Sequence, residues 1–137
     1  MVDGTKYRKL IGSLIYLTNT CPDLSYSVSI LSRFMQEPRE SHWNSSKRVL
    51  RYIQGTKDFG ILYKKYKYFT LVGYSDAKFA RDVDNHTSTF GYLINLGSTT
   101  ISWNCKKNPI VSNSLAEEEY ISSWEAACKI DWLRRIL

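Results

Sequence analysis

Cysteine is scarce in this sequence, and its spacing excludes the common cysteine-based sites. The three cysteines, Cys21, Cys105 and Cys128, lie far apart, and no CxxC pair or Cys/His cluster exists. A structural zinc site needs four clustered ligands, so we do not expect one. Scattered cysteines in odd number are typical of reduced thiols, which predicts an intracellular protein.

Long apolar runs and glycine-rich loops are also missing. The first ten residues, MVDGTKYRKL, lack the apolar core of a secretory signal, and no run reaches the length that spans a membrane. We therefore expect a protein of the cytoplasm or nucleus with no membrane partner. No glycine-rich phosphate cradle is present, and neither histidine, His42 or His86, stands in a motif with a serine or cysteine nucleophile.

What the sequence does contain is enough apolar content for a folded core and a surplus of positive charge. Hydrophobic residues make up 43% of the 137 and aromatic residues 14%, and the formal net charge is +6. One domain, or two small ones, is the expectation for this length. The basic surplus favours nucleic acid as a partner, although it also raises solubility.

Up to about residue 60, apolar residues recur at helical spacing. This spacing predicts three short helices, near 5–19, 22–36 and 41–54. Ser41 is the expected N-cap of the third helix, and Gly55 its expected end. The apolar residues of that helix are expected to face a small helical core: Trp43, Val49, Leu50 and Ile53.

Beyond residue 60 the pattern changes to β-branched and aromatic runs. GILYKKY favours a strand, and three more strands are predicted near 69–76, 89–96 and 99–104. A long helix follows near 115–136, with Tyr120 and Trp124 on one apolar side. This order predicts an α+β fold, in which the strands form an antiparallel meander and the last helix covers one face.

Asp76 and Glu119 are the candidate metal-binding carboxylates. Asp76 ends the first strand of the meander, and Glu119 lies in the first turns of the last helix. If that helix packs on the sheet, the two carboxylates can converge and bind a hard cation such as Mg²⁺, and paired metals can drive phosphodiester cleavage. Alternatively both are surface residues, and the acidic run Glu117, Glu118 and Glu119 simply suits a helix start.

A basic stripe on the third helix is the candidate nucleic-acid-binding surface. Lys47, Arg48 and Arg51 share one helical face, and Lys57 follows just past the helix end. Such a face can follow a phosphate backbone. The alternative is a solvated face opposite the apolar one.

Several motifs occur in one order along nearly the whole chain: GSLIYLTNTCPD, HWNSSKRVLRYIQGT, YSDA, STFGY, ISWNCKK and EEEY. Together they resemble the Pol polyprotein of Ty1/copia-type retrotransposons. Residues 1–63 resemble the helical, thumb-like end of the reverse transcriptase. Residues 64–137 resemble the first half of the attached ribonuclease H domain. The resemblance implies a thumb-like helical segment followed by a truncated ribonuclease H-like antiparallel sheet with one long helix.

The resemblance also implies roles for the two carboxylates. Asp76 in YSDA matches the first catalytic aspartate of the family, and Glu119 before Tyr120 matches its catalytic glutamate. In the family such carboxylates hold two Mg²⁺ ions that cleave the RNA strand of an RNA–DNA hybrid. The next family aspartate lies on a strand beyond Leu137, and Lys78 stands where the family usually has an acidic residue. We therefore expect an inherited but incomplete catalytic set that binds Mg²⁺ weakly or not at all.

Three functions stay open at this point. The first is a Pol fragment without catalysis of its own, which binds an RNA–DNA hybrid or other nucleic acid weakly. The second is an active Mg²⁺-dependent ribonuclease that a partner chain completes. The third is a secreted interaction protein, because Arg48-Val49-Leu50-Arg51 matches the RxLR pattern of oomycete effectors. An inward-facing Leu50 and the lack of a signal peptide argue against the third.

Overall fold

The structure, a computed structural model, describes residues 2–65, 70–78, 88–108 and 114–137. The chain forms two compact units, Met1–Gly60 and Ile61–Leu137. Within the described ranges, every helix is too short or too polar to span a bilayer.

The first unit contains three α-helices: α1 Gly4–Leu17, α2 Ser25–Ser32 and α3 Glu40–Gly55. The predicted second helix is shorter than expected and starts with a 3-10 turn, Pro22–Leu24. Proline fits this first turn because its missing N–H would have no helical partner there.

The core of the helical unit is apolar, and all three α-helices contribute to it. Its buried members are Tyr7, Ile11, Leu14, Leu24, Val28, Leu31 and Val49. The hydroxyl of Tyr7 donates to the carbonyl of Leu31 at 2.8 Å, so the polar atom of this fully buried ring is paired. Burial raises the pKa of the Tyr7 phenol.

Two expectations for α3 are wrong. Leu50 is 42% exposed, because Ser46 and Val49 occupy the inward side of the helix. Ser41 is not the N-cap, since the helix begins at Glu40 and its N-cap is Arg39, two residues before Ser41. The expected end at Gly55 is confirmed.

At the start of α3, a histidine side chain caps a backbone N–H group instead. The backbone N–H of Arg39 donates to Nδ1 of His42 at 3.1 Å, and the imidazole stacks on Phe34 with ring centroids 3.8 Å apart. This hydrogen bond needs an unprotonated Nδ1. Burial, together with the positive charge of Arg39, lowers the pKa of His42 from its ordinary value of 6.5.

The stability of the helical unit should therefore fall as the pH drops below about 6.5. The unfolded chain takes up the proton first, so the free energy of unfolding decreases until the pH reaches the lower pKa of folded His42, and then levels off. Amide exchange of α3, measured between pH 7.5 and 5.5, reports this change in the free energy of unfolding. His42→Gln should remove most of the slope, and an unchanged slope would contradict the assignment.

The second unit is a three-stranded antiparallel sheet with one helix. The strands are β1 Leu71–Lys78, β2 Thr89–Leu96 and β3 Thr99–Lys107, in the order β1-β2-β3, and the helix is α4 Leu115–Ile136. Gly97 joins β2 to β3 with a φ of 64°, in the left-handed region that favours glycine. The predicted meander is confirmed, and α4 packs on β1 and β2. Residues 60–65 form no strand, and Tyr66, the last residue of GILYKKY, lies outside the described residues.

The side of α4 that faces the sheet carries small and polar residues near its start and larger apolar residues near its end. Its buried residues are Glu118, Ser122, Ala126 and Leu133. The apolar side predicted from the sequence points outward, with Tyr120 74% and Trp124 59% exposed. The side chain of Ile130 packs against Gly73 of β1, where an added Cβ would collide with it.

Candidate functional site

β1 and α4 run antiparallel, which brings the end of β1 toward the start of α4. Ser122 donates from Oγ to the backbone carbonyl of Asp76 at 3.2 Å. Further along α4, Ile130 lies over Gly73, which is earlier in β1. Glu119 is one helical turn before Ser122, so the helix places it near the end of β1.

The side chain of Asp76 lies on the face of the sheet that α4 does not cover. A Cβ on Gly73 would point at α4, and Ser75 Oγ lies 3.4 Å from Ser123 Oγ of that helix. Because side chains alternate along a strand, Asp76 faces the other way. Its cross-strand neighbour on β2 is Gly91. With no side chain there, the exposed carboxylate of Asp76 is open on that side.

Glu119 is exposed, whereas the preceding residue, Glu118, is fully buried. Glu118 Oε1 accepts a hydrogen bond from Nδ2 of Asn108 at 2.8 Å. Asn108 follows β3, and its backbone N–H donates to the carbonyl of Ser88, just before β2, at 2.8 Å. Glu118 therefore fastens the start of α4 to the ends of two strands, and Glu119 projects from that anchored turn.

The approach of the Asp76 and Glu119 carboxylates, to on the order of 4–8 Å, stays a prediction. The two residues belong to neighbouring ends of β1 and α4, but the Asp76 side chain leaves the sheet on the side away from α4. Arg81, Asp82 and Asp84, the nearest charged residues after β1, lie outside the described residues.

The described residues fit a Mg²⁺ site poorly. They include no group of three or more His, Cys, Asp or Glu side chains that could hold a metal ion. Asp131 lies twelve residues beyond Glu119, about 18 Å along the helix, and accepts from Arg135 at 2.6 Å. Mg²⁺ demands near-octahedral oxygen ligands, and no catalytic step through this ion follows from two carboxylates so arranged.

Glu118 is the residue that sequence reasoning did not single out. Three consecutive glutamates give no sign of which one turns inward. The signal lies further along the helix, where Ser122 and Ala126 follow Glu118 at intervals of four residues. Small side chains at this spacing mark the side of a helix that lies close to its neighbour.

The surface of α3 carries the candidate nucleic-acid interface. All four predicted basic residues are exposed: Lys47, Arg48, Arg51 and Lys57. We call these four residues the basic face. Ser46 and Val49 hold the opposite side of α3 against the core. The Nζ of Lys47 lies 5.5 Å from the ring centroid of Trp43. Within the described parts of the chain, no residue of the basic face forms an ion pair with a carboxylate. These cations are therefore accessible to a polyanion.

Similar proteins match along the entire chain. The Retrovirus-related Pol polyprotein from transposon RE2 of Arabidopsis thaliana is 47% identical over 135 residues, which cover 98% of this chain and 9% of that protein. The corresponding polyprotein from transposon RE1 of the same plant is 44% identical over 137 residues, 100% of this chain and 9% of that protein. The chain belongs to the Ty1/copia-type retrotransposon Pol family. The family predicted from the motifs is confirmed, and this Pol chain spans less than a tenth of the length of these two relatives.

A third relative matches over most of both chains. Secreted RxLR effector protein 161 of Plasmopara viticola is 41% identical over 128 residues, which cover 93% of this Pol chain and 90% of that protein. No family model matches the Pol chain. No solved structure matches it either, so the ribonuclease H-like character of the sheet unit stays a prediction.

Proposed function

We propose that this segment of a Ty1/copia-type Pol polyprotein binds nucleic acid through the basic face of α3 and does not cut it. The observation that carries the proposal is the exposure of Lys47, Arg48 and Arg51 on one side of a helix whose other side is fixed in the core. A row of exposed cations on an anchored helix can track phosphates of an RNA–DNA hybrid or of another nucleic acid without reading the bases.

Binding of this kind is weak and sensitive to salt. Each phosphate contact releases condensed counterions, so the affinity falls as the salt concentration rises. A face of three or four cations places the expected Kd in the non-specific range, on the order of 10⁻⁴ to 10⁻⁶ M at physiological salt. Asp76 and Glu119 are, in this proposal, inherited carboxylates of a ribonuclease H-like sheet that do not complete a working site.

Changing Lys47, Arg48 and Arg51 together to alanine should weaken binding to a labelled RNA–DNA hybrid by at least about tenfold. Three exposed ionic contacts of about 0.5 kcal/mol each amount to about 1.5 kcal/mol, which is slightly more than a factor of ten in affinity. Fluorescence anisotropy at low salt measures the loss, and circular dichroism checks that the variant is folded.

The chain offers a matched control on α4. Lys129, Arg134 and Arg135 are likewise one lysine and two arginines, so changing all three to alanine removes the same charge from a different element. This control should bind much more tightly than the α3 variant. Equal losses in the two variants would show that net charge, and not the basic face, governs binding.

The relative from Plasmopara viticola favours a second candidate, a secreted interaction protein. The three residues of this chain that match the RxLR pattern, Arg48, Leu50 and Arg51, are exposed in the middle of α3. The exposed Leu50 removes the objection that the pattern is buried. A secretion assay separates the candidates, because export of the chain from expressing cells would favour this second one.

A further inference from the structure

A cavity of about 350 Å³ opens beside the basic face, between the start of α1 and the start of α3. This volume is at the lower end of the range for small-ligand pockets. The cavity is lined by Val2, Asp3, Lys6, Glu40, Trp43 and Lys47. Lys47 belongs to both the cavity and the basic face, so a strand that follows the basic face also passes the cavity.

The cavity combines an aromatic wall with cations and a carboxylate acceptor. Trp43 is half-buried and packs against the helical core, which fixes its position. Lys6 and Lys47 are exposed, and the Nζ of Lys6 lies 3.8 Å from Oδ2 of Asp3 in a surface ion pair that a phosphate can replace. Asp3 is already occupied, since its Oδ1 accepts from the backbone N–H groups of Thr5 and Lys6 at 2.9 and 3.2 Å.

Glu40 remains as the carboxylate that can accept from a ligand. Its side chain is exposed, and within the described residues it takes part in no hydrogen bond or ion pair. A carboxylate accepts from an exocyclic amino group such as N4 of cytosine, and thymine offers a carbonyl at the same position. Two lysines disfavour a cationic ligand here, while the tryptophan ring adds contact area that a bare phosphate would not use.

We propose that this cavity binds one unstacked base of a single-stranded nucleic acid, stacked on Trp43, with the adjoining phosphate on Lys6 and Lys47. The inference rests on the proposed function and adds to it a preference for single strands over duplexes. Bases within a duplex are stacked on each other and cannot enter, whereas a single strand can place a base on an aromatic ring. Lys47 is flexible enough to leave the ring for the phosphate when the base arrives.

The test compares a labelled oligo-dC single strand with a duplex of the same length, again by anisotropy. Wild-type chain should bind the single strand more tightly. Trp43→Leu should weaken binding to the single strand roughly 5- to 150-fold, the range for loss of one base–aromatic stack, and leave duplex binding unchanged. Trp124→Leu makes the same change on the exposed side of α4 and should affect neither ligand.

The outcomes separate this inference from the proposed function. Equal affinity of wild type for single strand and duplex, or no loss in Trp43→Leu, overturns the cavity while binding through the basic face stands. If the α3 triple variant binds the duplex like wild type, the proposed function fails instead.

Should Trp43→Leu not fold, Lys6→Ala serves as the test. Removing this exposed lysine should lower the affinity for the single strand about two- to fivefold and leave the affinity for the duplex unchanged. Equal binding of oligo-dC and oligo-dT would overturn the role of Glu40.

Discussion

The 137-residue chain should release no product from an RNA–DNA hybrid in Mg²⁺ or Mn²⁺, and Asp76→Asn should make no difference. Asp76 leaves the sheet on the side that α4 does not cover, whereas Glu119 belongs to α4 itself. Two carboxylates so placed give a hard cation too few ligands to position the two metals that phosphodiester cleavage uses. Loss of one member from a cooperating catalytic set removes most of the rate, so the expected difference from an active ribonuclease is several orders of magnitude.

The assay uses an end-labelled hybrid, with an active ribonuclease H on the same substrate as the positive control. Product that disappears in Asp76→Asn would contradict the prediction and favour the alternative of a working Mg²⁺-dependent enzyme. Product that forms only after a further Pol segment is added would show that a partner chain completes the site.

Replacing Glu118 by alanine should lower the free energy of unfolding of the sheet unit by about 3 kcal/mol. The substitution removes the acceptor of a buried hydrogen bond from Asn108 and opens a space between α4 and the strands, and each of these effects costs on the order of 1–3 kcal/mol. Amide exchange of β2 and β3 reports on this unit alone, because the helical unit contains neither strand.

Two variants serve as controls for Glu118→Ala. Glu118→Gln keeps the shape and an oxygen that can accept from Asn108, so its stability should stay within about 1 kcal/mol of wild type. Glu119→Ala changes the neighbouring exposed glutamate and should shift stability by no more than about 0.5 kcal/mol. If Glu118→Ala and Glu119→Ala proved equally stable, the claim that buried Glu118 stabilises the packing of α4 on the strands would be wrong.

Local periodicity predicted where α4 lies but not which side of it faces the sheet. The predicted range, 115–136, agrees with the observed helix, Leu115–Ile136. The large apolar residues Tyr120 and Trp124 suggested the buried side, yet they are exposed. The side of α4 that faces the sheet instead carries Glu118, Ser122 and Ala126, and the side chain of Ile130 fills the space over Gly73 of β1. The periodicity of α4 alone does not show this fit between a helix side chain and a strand glycine.

The two candidate sites differ in how far the sequence alone predicts them. The basic face follows from sequence spacing alone, because residues at i, i+1 and i+4 on a helix share a side whatever the helix packs on. The relation between Asp76 and Glu119 depends on strand alternation and on the face that α4 covers. Neither of these is encoded in the spacing of the two residues. Leu50 shows that spacing does not fully predict burial even within one helix, because it lies beside Val49 but just outside the core.

The most direct test of the account is the salt dependence of binding to duplex DNA, measured for wild type and for the Lys47, Arg48 and Arg51 triple alanine variant. Each phosphate contact adds about −0.9 to the slope of log affinity against log salt concentration. Three contacts on the basic face therefore predict a wild-type slope that is about 2.7 more negative than that of the variant. Parallel lines for the two proteins would contradict the assignment of nucleic-acid binding to α3.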